Sequence, residues 1–531
     1  MYGVQLHRRG VVLIVVLVLV VMIALAGFSF ANSMGTEYEA AKIAGDELQA
    51  DQTLLSAETF VAQYLRLPAE QRLALGGEFD NETLFRARPV IANPELAGFT
   101  GDRENVRPSD STWQFSILSG PPASNASSQL SESRGVRFGL VNESNKLHLG
   151  AILAWDRVRP GAGRAVLMKL PRMTPELADA VLDWIDPDNE PREFGAEADY
   201  YGSLPQPYRV ANRLPGSLDD LRLVRGVTSQ VLYGPDLNRN FRVDRAEGRL
   251  ATLGDATGAS EANDEELSGA GWSDLLTLHS ATKNVNRFGG LKIDLNQLDL
   301  PTLLLQLQTL VPEDVAKFIV LYRQYGPSQS AGAGSVSQVT LDMATPWKFK
   351  MNSVADLVDA RVTVPGEPAV TVRSPLSMNS GELRELLPML LSETTTLAAP
   401  VLAGGLNINT ADEAILRAVP FFSDDTVTQI LSQRESISEG PIGSIAWLLT
   451  ENVLSRETFI QVQPWLTAGG DVFSCQLFVF RGSRGPIRRV HAVFDAASAE
   501  PRRLEWVDLR PTGRGFAWSE VSVREEIDVV E

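Results

Sequence analysis

The chain has 531 residues, enough for roughly two to four domains with sizeable buried cores. A composition 44% hydrophobic and 21% charged is globular rather than disordered, and a formal charge of −18 sets the body against nucleic acid and anionic lipid. The single cysteine, Cys475, excludes an internal disulfide framework and a cysteine zinc site. His7, His148, His279 and His491 lie far apart, and HExxH, GxSxG and P-loop patterns are absent, which argues weakly against an enzyme.

Arg8, Arg9 and Gly10 precede an apolar run, Val11 to Ala31, that contains no charge and no proline. One helix of that length crosses a ~30 Å hydrocarbon core. The arginines stand before it and Glu37, Glu39, Asp46, Glu47 and Asp51 behind it, so the positive-inside rule puts Met1–Gly10 in the cytoplasm and the body outside. A cleaved signal peptide is the plainer alternative, with a small-residue site at Ala24-Leu25-Ala26, but the run exceeds the usual ~7–15-residue apolar region. No proline follows until Pro68, and Ala44, Leu48, Leu55, Val61 and Leu65 fall roughly on one face, so the helix is expected to continue past the membrane to residue 67.

A helix apolar in its first half and amphipathic in its second, behind Arg-Arg-Gly, resembles the N-terminus of type IV pilin-like proteins. The resemblance implies that a prepilin peptidase cuts after Gly10 and leaves Val11 as a methylated first residue. That family usually has glutamate at the fifth mature position, where this chain has Val15. A carboxylate in lipid is costly and kept only for a partner, so a subunit lacking it need not dock onto a preceding one. Within the family the absence is typical of the minor pseudopilin K of type II secretion, held to sit at the pseudopilus tip.

Residues 69–112 give only scattered turn signals. Trp113–Leu118 and Val136–Val141 alternate as strands around the polar loop Gly120–Ser128, and Lys146–Gly150 offers a third. A helical region opens at Thr174, a plausible N-cap, with Pro175 in the first turn and Leu177–Ile185 behind it. The residues that follow, Asp183-Trp184-Ile185-Asp186, Asp188, Pro191-Arg192 and Gly195-Ala196-Glu197, then Asn212 and Ser217–Gly226, resemble the pattern that opens a helical insertion in pseudopilin K. On these residues the chain is identified as a member of that family.

The loop 186–199 concentrates Asp186, Asp188, Glu190, Glu193, Glu197 and Asp199. If it is compact, a cation or arginines must offset their repulsion, and Arg192 could balance one. Ca²⁺ takes about six to eight oxygens from such groups, which makes Asp186, Asp188, Glu197 and Asp199 candidate ligands; the alternative is a solvated acidic loop. Further on, Asp236, Asn238, Asn240, Asp244 and Glu247 occupy positions 1, 3, 5, 9 and 12 of an EF-hand-like loop, with the Arg242 carbonyl at 7 and Val243 at 8. Phe241 stands where glycine is expected, and a left-handed Phe would cost about 1–2 kcal/mol. Ca²⁺ is expected here, a polar Asx-turn loop being the rival; Gly254–Ser268 reads as an exposed linker.

Ile293–Asn296, Val315–Ile319 and Arg323 recur as Leu406–Asn409, Val427–Ile430 and Arg434, with 27 residues from asparagine to arginine in one copy and 25 in the other. Each copy predicts a short extended entry and two helices. The second resembles the helix-hairpin-helix entry of DNA-binding proteins and the SAM-like modules of pseudopilin K. The turns Leu310–Asp314 and Pro420–Asp425 contain carboxylates and no glycine, so they suit packing and not phosphate. Gly326–Ser337 has linker composition, and Met378–Ser392 predicts a helix. Asp471–Phe480, Arg488–Asp495 and Leu504–Leu509 predict a closing antiparallel meander. Cys475 is expected to be buried, and Arg481, Arg484, Arg488 and Arg489 to line a solvated edge or a partner surface.

The expected fold is α+β: a transmembrane pilin helix on an antiparallel sheet, split by a large α-helical insertion with two SAM-like, helix-hairpin-helix-like modules. The expected boundaries are a leader at 1–10, the helix at 11–67, the first part of the pilin-like domain at 68–172, the insertion at 173–465 with modules at about 290–326 and 404–450, and the closing strands at 466–531. The family resemblance implies a minor pseudopilin that nucleates or caps a filament for protein export, with no catalytic residue. It implies an inner-membrane anchor, a periplasmic body, and as partners the minor pseudopilins I and J, the major pseudopilin, prepilin peptidase and the inner-membrane assembly platform. A membrane-tethered, calcium-dependent enzyme or binding protein is the rival from another class; a DNA-uptake pilus component fits the acidic turns less well.

Overall fold

The structure, a computed structural model, describes residues 9–90, 112–120, 136–244, 247–248, 270–332, 334–378, 380–437, 443–483 and 485–522. The leader before Arg9, most of 69–112 beyond residue 90, the linker 254–268 and Arg484 lie outside these residues.

One helix runs from Arg9 to Arg66 over 58 residues and ends where Pro68 removes a donor. Its segment 12–49 is almost wholly exposed, the stretch Val12–Arg66 includes a window of membrane-span hydropathy, and one such helix fits a single-pass anchor. The last five turns bury Ala50, Leu54, Ala57, Val61, Tyr64 and Leu65 at helical spacing. Leu48 and Leu55, expected on that face, are 63% and 49% exposed. The buried face is instead the one lined by Ala50, Leu54, Ala57, Val61 and Leu65, with Leu48 and Leu55 outside it. Four ion pairs fix the same contact: Asp46 with Arg481 (2.6 and 2.7 Å), Asp51 with Arg488 (2.6 Å), Glu58 with Arg503 (3.1 Å) and Arg66 with Glu500. Of the arginines expected on a solvated edge or a partner surface, Arg481 and Arg488 instead seat the long helix, and Arg489 is fully buried.

Short strands follow: β1 (Arg88–Pro89), β2 (Trp113–Ser119), β3 (Arg137–Phe138) and β4 (Val141–Asn142). Gly139 splits the alternating run Val136–Val141 because its φ is +155° and a Cβ there would stand 2.2 Å from the Glu78 carbonyl oxygen.

The insertion folds as three units, each closed by a two-residue parallel pair. β5 (Leu147–His148) pairs with β6 (Leu276–Thr277), so the expected third sheet strand Lys146–Gly150 instead opens the insertion and turns at once into the helix Leu149–Val158. After β7 (Ala281–Lys283), β8 (Ile293–Asp294) leads to the helices Leu300–Gln308 and Glu313–Tyr325. The hairpin β9 (Arg361–Val364) and β10 (Val370–Arg373) comes next, then the helix Leu383–Glu393 and β11 (Thr394–Thr395), which pairs with β8. Gly326–Ser337, expected as a flexible linker, packs on this hairpin: Ser328 N–H donates to Arg361 O (2.7 Å) and Gly334 bridges Val372. Then β12 (Val401–Ala403) pairs with β7, and β13 (Leu406–Asn407) leads through four helices between Glu413 and Val462 to its partner β14 (Leu466–Thr467).

The spacing of the repeat has a physical cause. Asn296 donates to the carbonyls of Met351 and Thr396, and Arg323, fully buried, donates to those of Asn296 and Gln297 (3.0 Å each) and of Phe349. In the second copy Asn409 donates to Ala468 O, and Arg434 to Ile408 O and Ala411 O. His148 makes the matching bond to Leu278 O in the first unit (2.9 Å).

The chain closes with β15 (Val472–Arg481), β16 (Ile487–Asp495) and β17 (Arg502–Asp508). Among the described residues the sheet has seven strands, in the antiparallel order β1-β2-β15-β16-β17, with β3 on β2 and β4 on β15. One apolar core lies between the long helix and this sheet, and a second fills the insertion.

Candidate cation sites

Thr174 accepts Leu177 N–H and Pro175 enters the first turn, so the helix Pro175–Ile185 starts where the sequence predicts. It turns Asp179 and Asp183 inward, both fully buried, and delivers Asp186 at its C-terminal end. Carboxylates at that end face the negative pole of the helix and need positive charge nearby. Arg164 forks onto Asp179, whose other contact is Phe194 N–H (3.0 Å). Arg192 donates to Asp183 (2.7 Å), Asp156 (3.2 Å) and Asp186. Gly195 is obligatory at the turn, since a Cβ there would lie 1.7 Å from Asp183 Oδ2.

This framework brings together Asp186, Asp188 and Glu197, with one oxygen from each lying within 4.8 Å of the others. Asp186 and Glu197 are 4% exposed; Asp186 Oδ1 and both Glu197 oxygens have no hydrogen-bond partner. Burial, with Asp183, Asp186 and Asp188 nearby, pushes the Glu197 carboxyl up to about 7. Burial also raises Asp186 and Asp183 against the pull of Arg192, whose own guanidinium is held above its usual range, despite burial, by its bonds to Asp186 and Asp183. Unsatisfied buried oxygens on two of three convergent carboxylates are what a hard cation satisfies.

Asp199, Glu190 and Glu193 are exposed and stand outside this group; Glu193 reaches Arg164 at 3.4 Å. Asn212 joins the neighbourhood. Its amide donates to Asp188 O and to Asn189 Oδ1, its own Oδ1 is buried without a partner, and its φ is +46°. The sequence marks Asn212 only as part of the family-like pattern, which carries no indication of a contact 24 residues away.

The EF-hand-like loop is arranged differently. Asp236 accepts Asn240 N–H (3.0 Å) and Phe241 N–H (2.7 Å), and Glu247 accepts Asn238 N–H and Asp244 N–H (2.9 Å each). The Asn238 amide bonds Asp244, the Asn240 amide reaches Gly515 O, Arg242 pairs with Glu520, and Val243 is exposed. Phe241 does adopt φ +65°, the left-handed backbone for which glycine is suited. Burial, with Glu247 and Asp274 near, pushes Asp236 up to about 7. The loop also clasps the sheet: Arg489 and Gln476 donate to Arg239 O (2.6 and 2.7 Å), and Thr512 to Asn238 O.

A cavity of about 490 Å³ lies where the insertion meets the sheet, and Glu143, Lys146, His279, His491 and Glu505 are among its lining. Burial pushes His491 down to about 4, which keeps it neutral, and drives the Cys475 thiol far from its reactive anion.

Residues 165–233, which span Arg164's partner helix, the acidic loop and Asn212, match the family model described as type II secretion system protein K. Over 56 residues the chain is 46% identical to the type II secretion system protein K of Pectobacterium carotovorum subsp. carotovorum, covering 10% of this chain and 17% of that protein. Over 57 residues it is 44% identical to that of Aeromonas hydrophila, with the same coverage. The chain thus spans 17% of the length of these curated relatives in the matched stretch. A chain of the GspK-GspI-GspJ complex from enterotoxigenic Escherichia coli aligns over 87% of this chain and 98% of its own, at 12% identity and a TM-score of 0.29, a score too low to bear on the arrangement. The likeness to type II secretion system protein K thus rests on residues 165–233.

Proposed function

We propose that the protein is a minor pseudopilin that nucleates or caps the pseudopilus of a type II secretion system at its tip. The observation that carries the reading is the K-family domain at 165–233 in a chain whose one apolar helix continues without a break onto an antiparallel sheet. The work is mechanical. Subunits related by a non-closing operation form an open filament, and a bulky insertion above the sheet blocks addition at one end. Val15, at the fifth position after Gly10, supplies no carboxylate for a preceding subunit.

In this reading prepilin peptidase cuts between Gly10 and Val11, the helix anchors the chain in the inner membrane with its N-terminus cytoplasmic, and the body lies in the periplasm. The minor pseudopilins I and J, the major pseudopilin and the assembly platform are its partners. Reconstitution with I- and J-type proteins tests it. A stable ternary complex lost on deleting residues 34–67 is expected; failure to associate, or a mature N-terminus other than methylated Val11, overturns it.

Asp186, Asp188, Glu197 and the Asn212 carbonyl fit Ca²⁺ by donor type, and all but Asp188 have buried oxygens without a partner; Ca²⁺ there would hold the loop to the helix end. The loop of Asp236, Asn238, Asn240, the Arg242 carbonyl, Asp244 and Glu247 is the second candidate, and its carboxylates would have to exchange amide bonds for the ion. Calorimetric titration separates the two. Glu197→Gln is expected to remove one Ca²⁺ per chain, whereas unchanged stoichiometry removes that site; Asp236→Ala asks the same of the second loop.

A further inference from the structure

We infer that Arg192 is a resident counter-cation that lets the acidic loop fold before Ca²⁺ arrives, so that the ion completes the site without being needed to build it. The inference rests on the reading of Asp186, Asp188 and Glu197 as ion ligands.

The carboxylate oxygens around Arg192 divide into those bonded to it and those left open. Asp156, Asp183 and the Oδ2 atom of Asp186 all receive guanidinium N–H bonds; the Arg192 backbone N–H also donates to Asp183 (3.2 Å). Left open are Asp186 Oδ1 and both oxygens of Glu197, which have no partner, and one oxygen from each of Asp186, Asp188 and Glu197 lies within 4.8 Å of the others. Asp186 is thus divided, one oxygen committed to the arginine and one left open. Asp156 and Asp183 lie outside the convergent group, so two of the guanidinium's anchors are not proposed ion ligands and can hold it in place when an ion binds.

Two physical consequences have the same sign. Removing one member of a buried ionic network leaves the others uncompensated, so the loop without Arg192 is unstable unless another cation is supplied. Removing a positive charge beside a dication's seat also relieves repulsion, so Ca²⁺ should bind more tightly to whatever folded apo form remains. Ca²⁺ and Arg192 are therefore partly interchangeable for folding but not for the finished geometry.

The test is thermal unfolding of the full chain in detergent, in chelator and in saturating CaCl₂, for the parent, Arg192→Met, Arg192→Lys and Arg164→Met. Arg164 serves as control because it pairs with Asp179 on the same helix and touches none of the proposed ligands. Ca²⁺ should raise the parent midpoint. Arg192→Met should lose several degrees in chelator and recover most of them in Ca²⁺, giving a larger Ca²⁺-induced shift than the parent. Arg192→Lys should do the same in smaller measure and serves if the Met variant does not accumulate. Arg164→Met should lose equally in both conditions. Equal losses for Arg192→Met with and without Ca²⁺, or no loss, overturn the inference while leaving the ion site intact. A parent midpoint indifferent to Ca²⁺ removes the ion site and the inference with it.

Discussion

Replacing Arg323 by Met tests the account of the repeat. The side chain is fully buried, its guanidinium donates to the carbonyls of Asn296, Gln297 and Phe349, and it lies 5.0 Å from the Trp347 ring. Burial pushes its pKa below the usual arginine value. Methionine fills part of the volume but leaves these carbonyls unsatisfied, at about 1–3 kcal/mol for each buried group, and structural relaxation recovers some of that. The expected cost is about 3–5 kcal/mol. Arg434 donates to two carbonyls, one of them at 3.4 Å, and is only partly buried, so water can replace it. Arg434→Met should therefore cost about 1–2 kcal/mol. Urea unfolding followed by tryptophan emission and by hydrogen exchange at Lys348 and Phe349, whose N–H groups bond Arg323 O, reads both. Equal costs for the two variants, or less than about 1 kcal/mol for Arg323→Met, would refute the argument that carbonyl satisfaction fixes the asparagine-to-arginine spacing.

Further expectations concern the acidic loop, the clasp and the helix seat. Glu197 has a folded pKa of about 7 against an ordinary 4.5, so its contribution is fully present below pH 4.5 and is lost as pH rises through 7. In chelator, stability should fall over that window, and Glu197→Gln should flatten the fall; pH-dependent melts decide. Gly195→Ala forces a methyl into Asp183 and should lower both the midpoint and Ca²⁺ affinity, as melts and titration will read. Phe241→Gly removes about 1–2 kcal/mol of backbone strain but also a ring packed near Phe516, worth about 1.5–3 kcal/mol, so net destabilisation by denaturant is expected. Arg481→Ala breaks a two-bond pair with Asp46 and a stack on Trp113; faster amide exchange in residues 42–50 is the expected readout.

Features encoded within a few residues were the legible ones. The Thr174–Pro175 start, the break at Pro68 and the strands of the closing meander each carry their own signal, and they stand where that signal puts them. Misreadings came where distant contacts choose among equivalent local options. Large apolar residues suggested one face of the long helix, yet the buried one also runs through Ala50 and Ala57. Small residues made 326–337 look like a free linker, although their size is what lets Gly334 approach β10. Arg361–Val364 and Val370–Arg373 alternate plainly, and Val362 and Val372 are buried, so that hairpin was available to period-two reasoning and was missed. In the acidic loop, spacing cannot tell which carboxylates turn inward; the Arg192 contacts and the tight turn at Gly195 select Glu197 over Asp199.

The two ends of the insertion meet at the sheet. Asn142 donates to Gly470 O at 2.9 Å, and β4 lies directly beside β15. Tension drawn along the long helix therefore enters the sheet through Asp46, Asp51 and Glu58 and spreads among β15, β16 and β17. None of it has to cross the three hundred or so residues between the two ends, a length set by the numbering itself. The insertion hangs in parallel with the load path. It is clasped to the side of the sheet through Arg239 and Ser217, so it rides on the load-bearing strands without being a link between them.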